Sequence, residues 1–158
     1  MGQLCDKITC VDQNKISDSG ASKLGQFLGK CLNISHLYLE MKYSKFLNVK
    51  YNFYPNIQSD NLIGDDGSSE LGLGLSKCKN LIVLSINLSG CNLIGAQGVT
   101  NLALGISKSQ TLQNFSLFLR DDTIGDNGFC GLIDNLSYCK IDQLVAKLKY
   151  AKLKRLKK

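Results

Sequence analysis

Asn61-Leu62-Ile63-Gly64-Asp65-Asp66-Gly67-Ser68-Ser69-Glu70-Leu71-Gly72-Leu73-Gly74-Leu75-Ser76-Lys77-Cys78 decides the fold, because this 158-residue chain writes the same phrase four times. The copies open at Asn14-Lys15-Ile16, Asn61-Leu62-Ile63, Asn92-Leu93-Ile94 and Asp122-Thr123-Ile124. Four residues after each isoleucine stands a glycine: Gly20, Gly67, Gly98 and Gly128. Eight after it comes Leu24, Leu71, Leu102 or Leu132, and twelve after it Leu28, Leu75, Ile106 or Leu136. The phrase closes, fifteen after the isoleucine, on Cys31, Cys78, Ser109 or Cys139. A fixed period of about 30 residues is the mark of a solenoid, in which each unit buries its apolar face against the next.

Working outward, an alternating apolar run precedes each later copy: Leu37, Leu39, Met41, then Leu84, Ile86, Leu88, then Phe115, Leu117, Leu119. Period two predicts a strand. From the glycine onward the apolar residues recur at four and three, as in Leu71, Leu75, Cys78, which predicts an amphipathic helix with its stripe turned inward. Asp18, Asp65 and Asp126 sit just ahead of the helical stretch, where a carboxylate caps free N–H groups and opposes the helix dipole. Strands at both ends complete the pattern. Ile8 and Cys10 form a partial first strand, and Ile141, Leu144, Ala146 and Leu148 fall on Leu81, Leu84, Ile86 and Leu88 once a one-residue deletion after Cys139 is allowed.

The pattern Asn-x-Ile-x-x-x-Gly-x-x-x-Leu-x-x-x-Leu-x-x-Cys between strands resembles the ribonuclease-inhibitor-like class of leucine-rich repeats, over roughly residues 14 to 148. The resemblance implies an α/β horseshoe arc, with an inner parallel sheet and outer helices. It also implies that Asn14, Asn61 and Asn92 turn inward to bond backbone groups of the neighbouring turn. Asp122 in the fourth copy and Ser109 in the third depart from that ladder. One domain is expected over residues 1–148, of about four repeats, followed by a basic tail at 149–158.

The repeat absorbs features that resemble chemistry. Seven cysteines with no secretory signal ahead of them, three of them at one repeat position, read as reduced core thiols. With one histidine, His36, and no pair of cysteines two residues apart, no metal site is expected. Gly72-Leu73-Gly74 lies in mid-helix, whereas a phosphate cradle follows a strand and opens a helix. Four Asn-x-Ser sequons are by-products of the repeat, and Asp6 stands where N-myristoylation requires Ser or Thr. No apolar run reaches the eighteen residues of a membrane span. No Ser-His-Asp grouping and no kinase signature is present. The chain is therefore expected to be a non-enzymatic, cytoplasmic protein with no catalytic residues, cofactor or metal.

What remains is a binding surface. Residues between the inward leucines form three rows across the strands: His36, Val83, Asn114, Gln143; Tyr38, Ser85, Ser116, Val145; and Glu40, Asn87, Phe118, Lys147. Such positions are ordinary solvated sheet residues or a concave interface for a protein partner, in which Tyr38 and Phe118 would be the aromatic anchors. Two stretches break the repeat. Residues 42–59 hold five of the twelve aromatics, among them Tyr51 and Phe53, together with Lys42, Lys45 and Lys50 and no acid. They read as a lid packed on the repeats or as a contact surface for a protein or single-stranded nucleic acid. From residue 140 onward eight basic residues face one acid, while residues 1–139 carry 11 basic and 12 acidic residues. That tail reads as a solvated cap or as a contact for RNA or an anionic surface. The partner expected from the rows and the insertion is a protein of unspecified identity.

Overall fold

A computed structural model describes residues 7–10, 16–31, 33–41, 61–89, 91–120, 123–137 and 143–149. The insertion at 42–59, Asn14, Asp122, Cys139 and the tail from residue 150 lie outside them. Four units follow one another, each running from a strand of the main sheet to a helix, with a short extended segment ahead of the helix in the first three. The strands are β1 (Lys7–Cys10), β2 (His36–Glu40), β3 (Asn61–Gly64), β4 (Val83–Asn87), β5 (Cys91–Leu93), β6 (Asn114–Arg120) and β7 (Gln143–Lys149). The helices are α1 (Asp18–Leu28), α2 (Asp65–Leu75), α3 (Ala96–Ser107) and α4 (Gly125–Leu136).

The main sheet is open and wholly parallel, in the order β1-β2-β4-β6-β7. Its register carries the repeat: Leu37 pairs Leu84, Leu84 pairs Phe115, and Phe115 pairs Leu144. Period-two burial is visible in β2 and β4, where Leu37, Leu39, Leu84 and Ile86 are buried and their neighbours half-buried. Five strands at about 4.8 Å spacing make a sheet about 19 Å across. A second, two-stranded parallel sheet pairs β3 with β5. The alternation does not announce it, because each of these strands is only three or four residues long and runs straight into a helix.

One apolar core joins the inward leucines of the strands to Leu71, Leu75, Leu102, Ile106, Leu132 and Leu136 of the helices. Each helix packs on the next, α1 on α2, α2 on α3 and α3 on α4. Glycine sets the spacing of the first two junctions. A Cβ on Gly74 would collide with the backbone of Gly25, and a Cβ on Gly105 with the backbone of Gly72. Gly72 and Gly74 are thus buried packing positions within α2.

Two expectations are corrected by the helix starts. α1 and α2 begin at the aspartate rather than the glycine, α3 begins at Ala96 in the same repeat position and α4 one residue ahead of Asp126, and Cys78 lies three residues beyond the end of α2. Nor does the carboxylate cap its own helix: the N-caps Ser17 and Gly64 make no side-chain capping bond. Instead Asp18 Oδ1 accepts from the N–H groups of Gly64 (2.7 Å) and Gly67 (2.9 Å), at the start of the following helix. Asp65 Oδ1 does the same for Gly95 (2.7 Å) and Gly98 (2.9 Å). Each aspartate therefore fastens unit to unit while lending charge to a helix N-terminus. The repeat glycine follows from this, since a Cβ on Gly67 would stand 2.8 Å from the Cα of Asp18. Ala96 occupies the aspartate position in the third unit. α4 opens on Gly125, whose φ of 63° is readily accessible only to glycine.

Asn61 behaves as the resemblance implies. Buried to 1% exposure, it accepts from Ile16 N–H (2.9 Å) in the preceding unit and donates to Met41 O (3.0 Å). Cys78 Sγ, at the closing position of its unit, donates to Leu28 O of the preceding unit at 3.4 Å. Where serine takes that position in the third unit, the Ser109 hydroxyl is buried and has no partner among the described residues.

Candidate functional site

Strand register brings the three predicted rows together. His36, Val83, Asn114 and Gln143 are successive partners, as are Tyr38, Ser85, Ser116 and Val145, and Glu40, Asn87, Phe118 and Lys147. β1 extends the first two rows, with Lys7 opposite His36 and Thr9 opposite Tyr38. In β2, β4 and β6 these residues are half-buried, while the residues between them are sealed in the core. Parallel sheets usually have both faces covered by helices. Here the buried alternate faces the helices, and the opposite face keeps partial access to solvent.

Hydrogen bonds organise one edge of that face. Asn87 Nδ2 donates to Glu40 Oε2 at 3.2 Å, and Asn87 Oδ1 accepts from both Ser89 N–H (3.2 Å) and Ser89 Oγ (2.7 Å). Asn87 is thereby held between a carboxylate on the neighbouring strand and the turn that follows its own strand. At the other edge Ser35 Oγ and His36 Nδ1 lie 2.9 Å apart. Hydroxyls and amides dominate the middle of the face, through Ser85, Ser116 and Asn114. These groups recognise hydrogen-bonding partners of either polarity. Tyr51 and Phe53 lie outside the described residues, and for Lys147 the backbone register alone is described.

The rim beyond these strands holds two residues that the rows do not include. Leu62 and Leu93, at the same repeat position on β3 and β5, are 50% and 58% exposed. Their signal in the sequence is an apolar residue between the inward Asn and Ile of the phrase, where the other two copies have Lys15 and Thr123.

Among the described residues no three His, Cys, Asp or Glu side chains lie close enough together to hold a metal ion. No helix among them is long and apolar enough to cross a membrane. Cys31, Cys78, Cys91 and Cys130 are free thiols. Burial, and secondarily the neighbouring Cys31, pushes the Cys78 thiol up to about 11; burial, partly opposed by a backbone hydrogen bond from Ile63, pushes Cys91 up to about 12. The folded chain thus holds protons that an unfolded thiol releases near its ordinary value of 9.0. The stability these two groups contribute is complete below pH 9 and is lost as pH rises through 11 and 12. The urea midpoint is expected to fall between about pH 8 and about pH 10, and Cys91→Val is expected to flatten that fall. A slope identical in the variant would remove Cys91 from the explanation.

The chain matches no model of a known protein family and no curated protein.

Proposed function

We propose that this chain is a leucine-rich-repeat module of the ribonuclease-inhibitor-like class, a short solenoid arc that holds a protein partner on its exposed sheet face and performs no catalysis. One observation carries the reading: a parallel sheet whose second face, made of in-register rows of half-buried polar and aromatic residues, is not sealed like its first. The aspartate and asparagine bonds between units support the repeat assignment, since both link residues one repeat apart. Hydrogen-bonding side chains in the middle and aromatics at Tyr38 and Phe118 suit an interface that combines a few anchors with a polar surround. The aromatic insertion at 42–59, which lies outside the described residues, follows Met41 in sequence and belongs to the proposed contact.

The test is capture of a partner by the intact chain, by a Ser85→Arg, Ser116→Arg pair and by a chain ending at Lys149, each at about 0.1 M and about 0.5 M salt. Under the proposal a stoichiometric partner survives high salt and loss of the tail, and is lost with the arginine pair. Capture that needs the tail and low salt would instead assign binding to an anionic surface or RNA, read by the basic residues after position 149.

A further inference from the structure

We propose that the helix layer docks on an anionic lipid surface through Leu73 of α2 and Leu104 of α3, with the lysines at the ends of the same helices held at the lipid phosphates. Helix geometry places the contact. At about 100° per residue, Leu73 stands opposite the core residues Leu71 and Leu75 that lie two positions to either side of it, and Leu104 stands opposite Leu102 and Ile106. The two leucines are 48% and 45% exposed, at one repeat position on neighbouring helices. The repeat does not require an apolar residue there, since the first and fourth copies have Gln26 and Asp134.

Lysine follows in the same register. Lys77 and Lys108 come four residues after the leucines, on the same side of each helix and about 6 Å further along, and Lys30 holds the equivalent place after α1. All three are exposed, and their side chains make no hydrogen bond or ion pair among the described residues. A Cβ on Gly29 would stand 3.0 Å from Lys77 Cδ, so the stem of Lys77 lies against the end of α1, beside the residue that precedes Lys30. Lys79 joins them, its Nζ donating to Ser76 O at 3.1 Å. A helix C-terminus favours a nearby cation. Here lysines gather from successive units, and residues 29–36, 76–84 and 107–114 contain no acid. The exposed acids of α2, Asp66 and Glu70, lie on the N-terminal side of Leu73. On α4 the leucine position is Asp134, so the contact ends at α3.

The two rows together select the occupant. A protein helix docks its apolar face in a groove, and the seam between α2 and α3 is closed, by Gly72 against Gly105 and by the hydrogen bond from Asn101 Nδ2 to Ser69 Oγ (3.0 Å). A nucleic acid would meet the lysines and leave the leucines in water. An anionic lipid surface uses both, because it yields around separate aliphatic side chains while its phosphates attract the lysines.

The experiment is co-sedimentation of the full chain with vesicles of phosphatidylcholine, alone or with about 30% phosphatidylserine, at about 0.1 M salt. Binding is expected only with the anionic lipid and is expected to survive removal of residues 150–158. The Lys77→Glu, Lys108→Glu pair and the Leu73→Gln, Leu104→Gln pair are each expected to weaken it at least about ten-fold. All four side chains are exposed, so the urea midpoint of each pair is expected to match the parent's. The chain has no tryptophan, and Leu104→Trp therefore reports the site directly. Its emission is expected to shift to the blue with anionic vesicles, while that of Leu93→Trp, on β5, stays fixed. Equal binding without the anionic lipid, binding that vanishes with residues 150–158, insensitivity to either pair, or a shift at both tryptophans or at neither would each overturn the proposal. So would a parent chain that binds single-stranded RNA and leaves the vesicles unbound. None of these substitutions touches the rows of the sheet face, so the outcome is separate from that of partner capture.

Discussion

Gly105→Ala is expected to destabilise the fold by about 3 kcal/mol, although the same change in an ordinary helix interior stabilises by about 1 kcal/mol. Gly105 is buried in α3, and its missing side chain is what allows the backbone of Gly72 to lie against it. The atoms a new Cβ would strike are a carbonyl oxygen, a carbonyl carbon and a Cα of another helix, none of which can rotate away. Relief requires α2 and α3 to move apart, and that strains both sides of the core: Leu71 and Leu75 on one helix, Leu102 and Ile106 on the other. Against a total stability of roughly 5–15 kcal/mol this is a large fraction. Gly74→Ala, which meets Gly25 in the same way, is expected to behave alike. Leu104→Ala, at an exposed position one residue from Gly105, should change little. Urea denaturation measures all three, and a midpoint for Gly105→Ala at or above the parent's would show that the junction is not set by glycine.

Asn61→Leu is expected to cost about 4 kcal/mol, taking about 1–3 kcal/mol for each buried backbone group left unpaired. The substitution keeps the branching and number of side-chain heavy atoms and adds apolar area, so a purely hydrophobic account forecasts the opposite sign. What it removes is the acceptor for Ile16 N–H and the donor to Met41 O, at a site 1% exposed to water. Neither backbone group has room to be rehydrated without opening the junction between the first two units. Leu62→Asn, next in sequence and half-exposed, is the control and should be close to neutral. Equal midpoints for Asn61→Leu and the parent chain would mean that the amide is dispensable.

The placement of the sheet-face rows was legible because it needs only local information. An alternation of Leu37, Leu39 and Met41 turns His36, Tyr38 and Glu40 to the other side, and the shared phrase then aligns strand with strand. Even the one-residue deletion after Cys139 is reproduced, with Leu144 opposite Phe115 and Ala146 opposite Leu117. Less was legible where one short side chain serves two units. Asp18 looked like a cap for the helix it begins, since the residues adjacent in sequence are the only ones that a linear reading can offer it. Its partners are Gly64 and Gly67, more than forty residues away.

By itself, then, the sequence determined the alternation of main-sheet strands with helices, the inward faces and the rows of the exposed sheet face, because burial of one face imposes a period that survives in any short window. Tertiary structure alone decided which groups hold the units together: the aspartates that fasten the following helix, the glycines that admit its backbone and the Glu40–Asn87 pair. Those depend on distances of a few ångströms between residues about thirty to fifty positions apart, and no periodicity encodes such a distance.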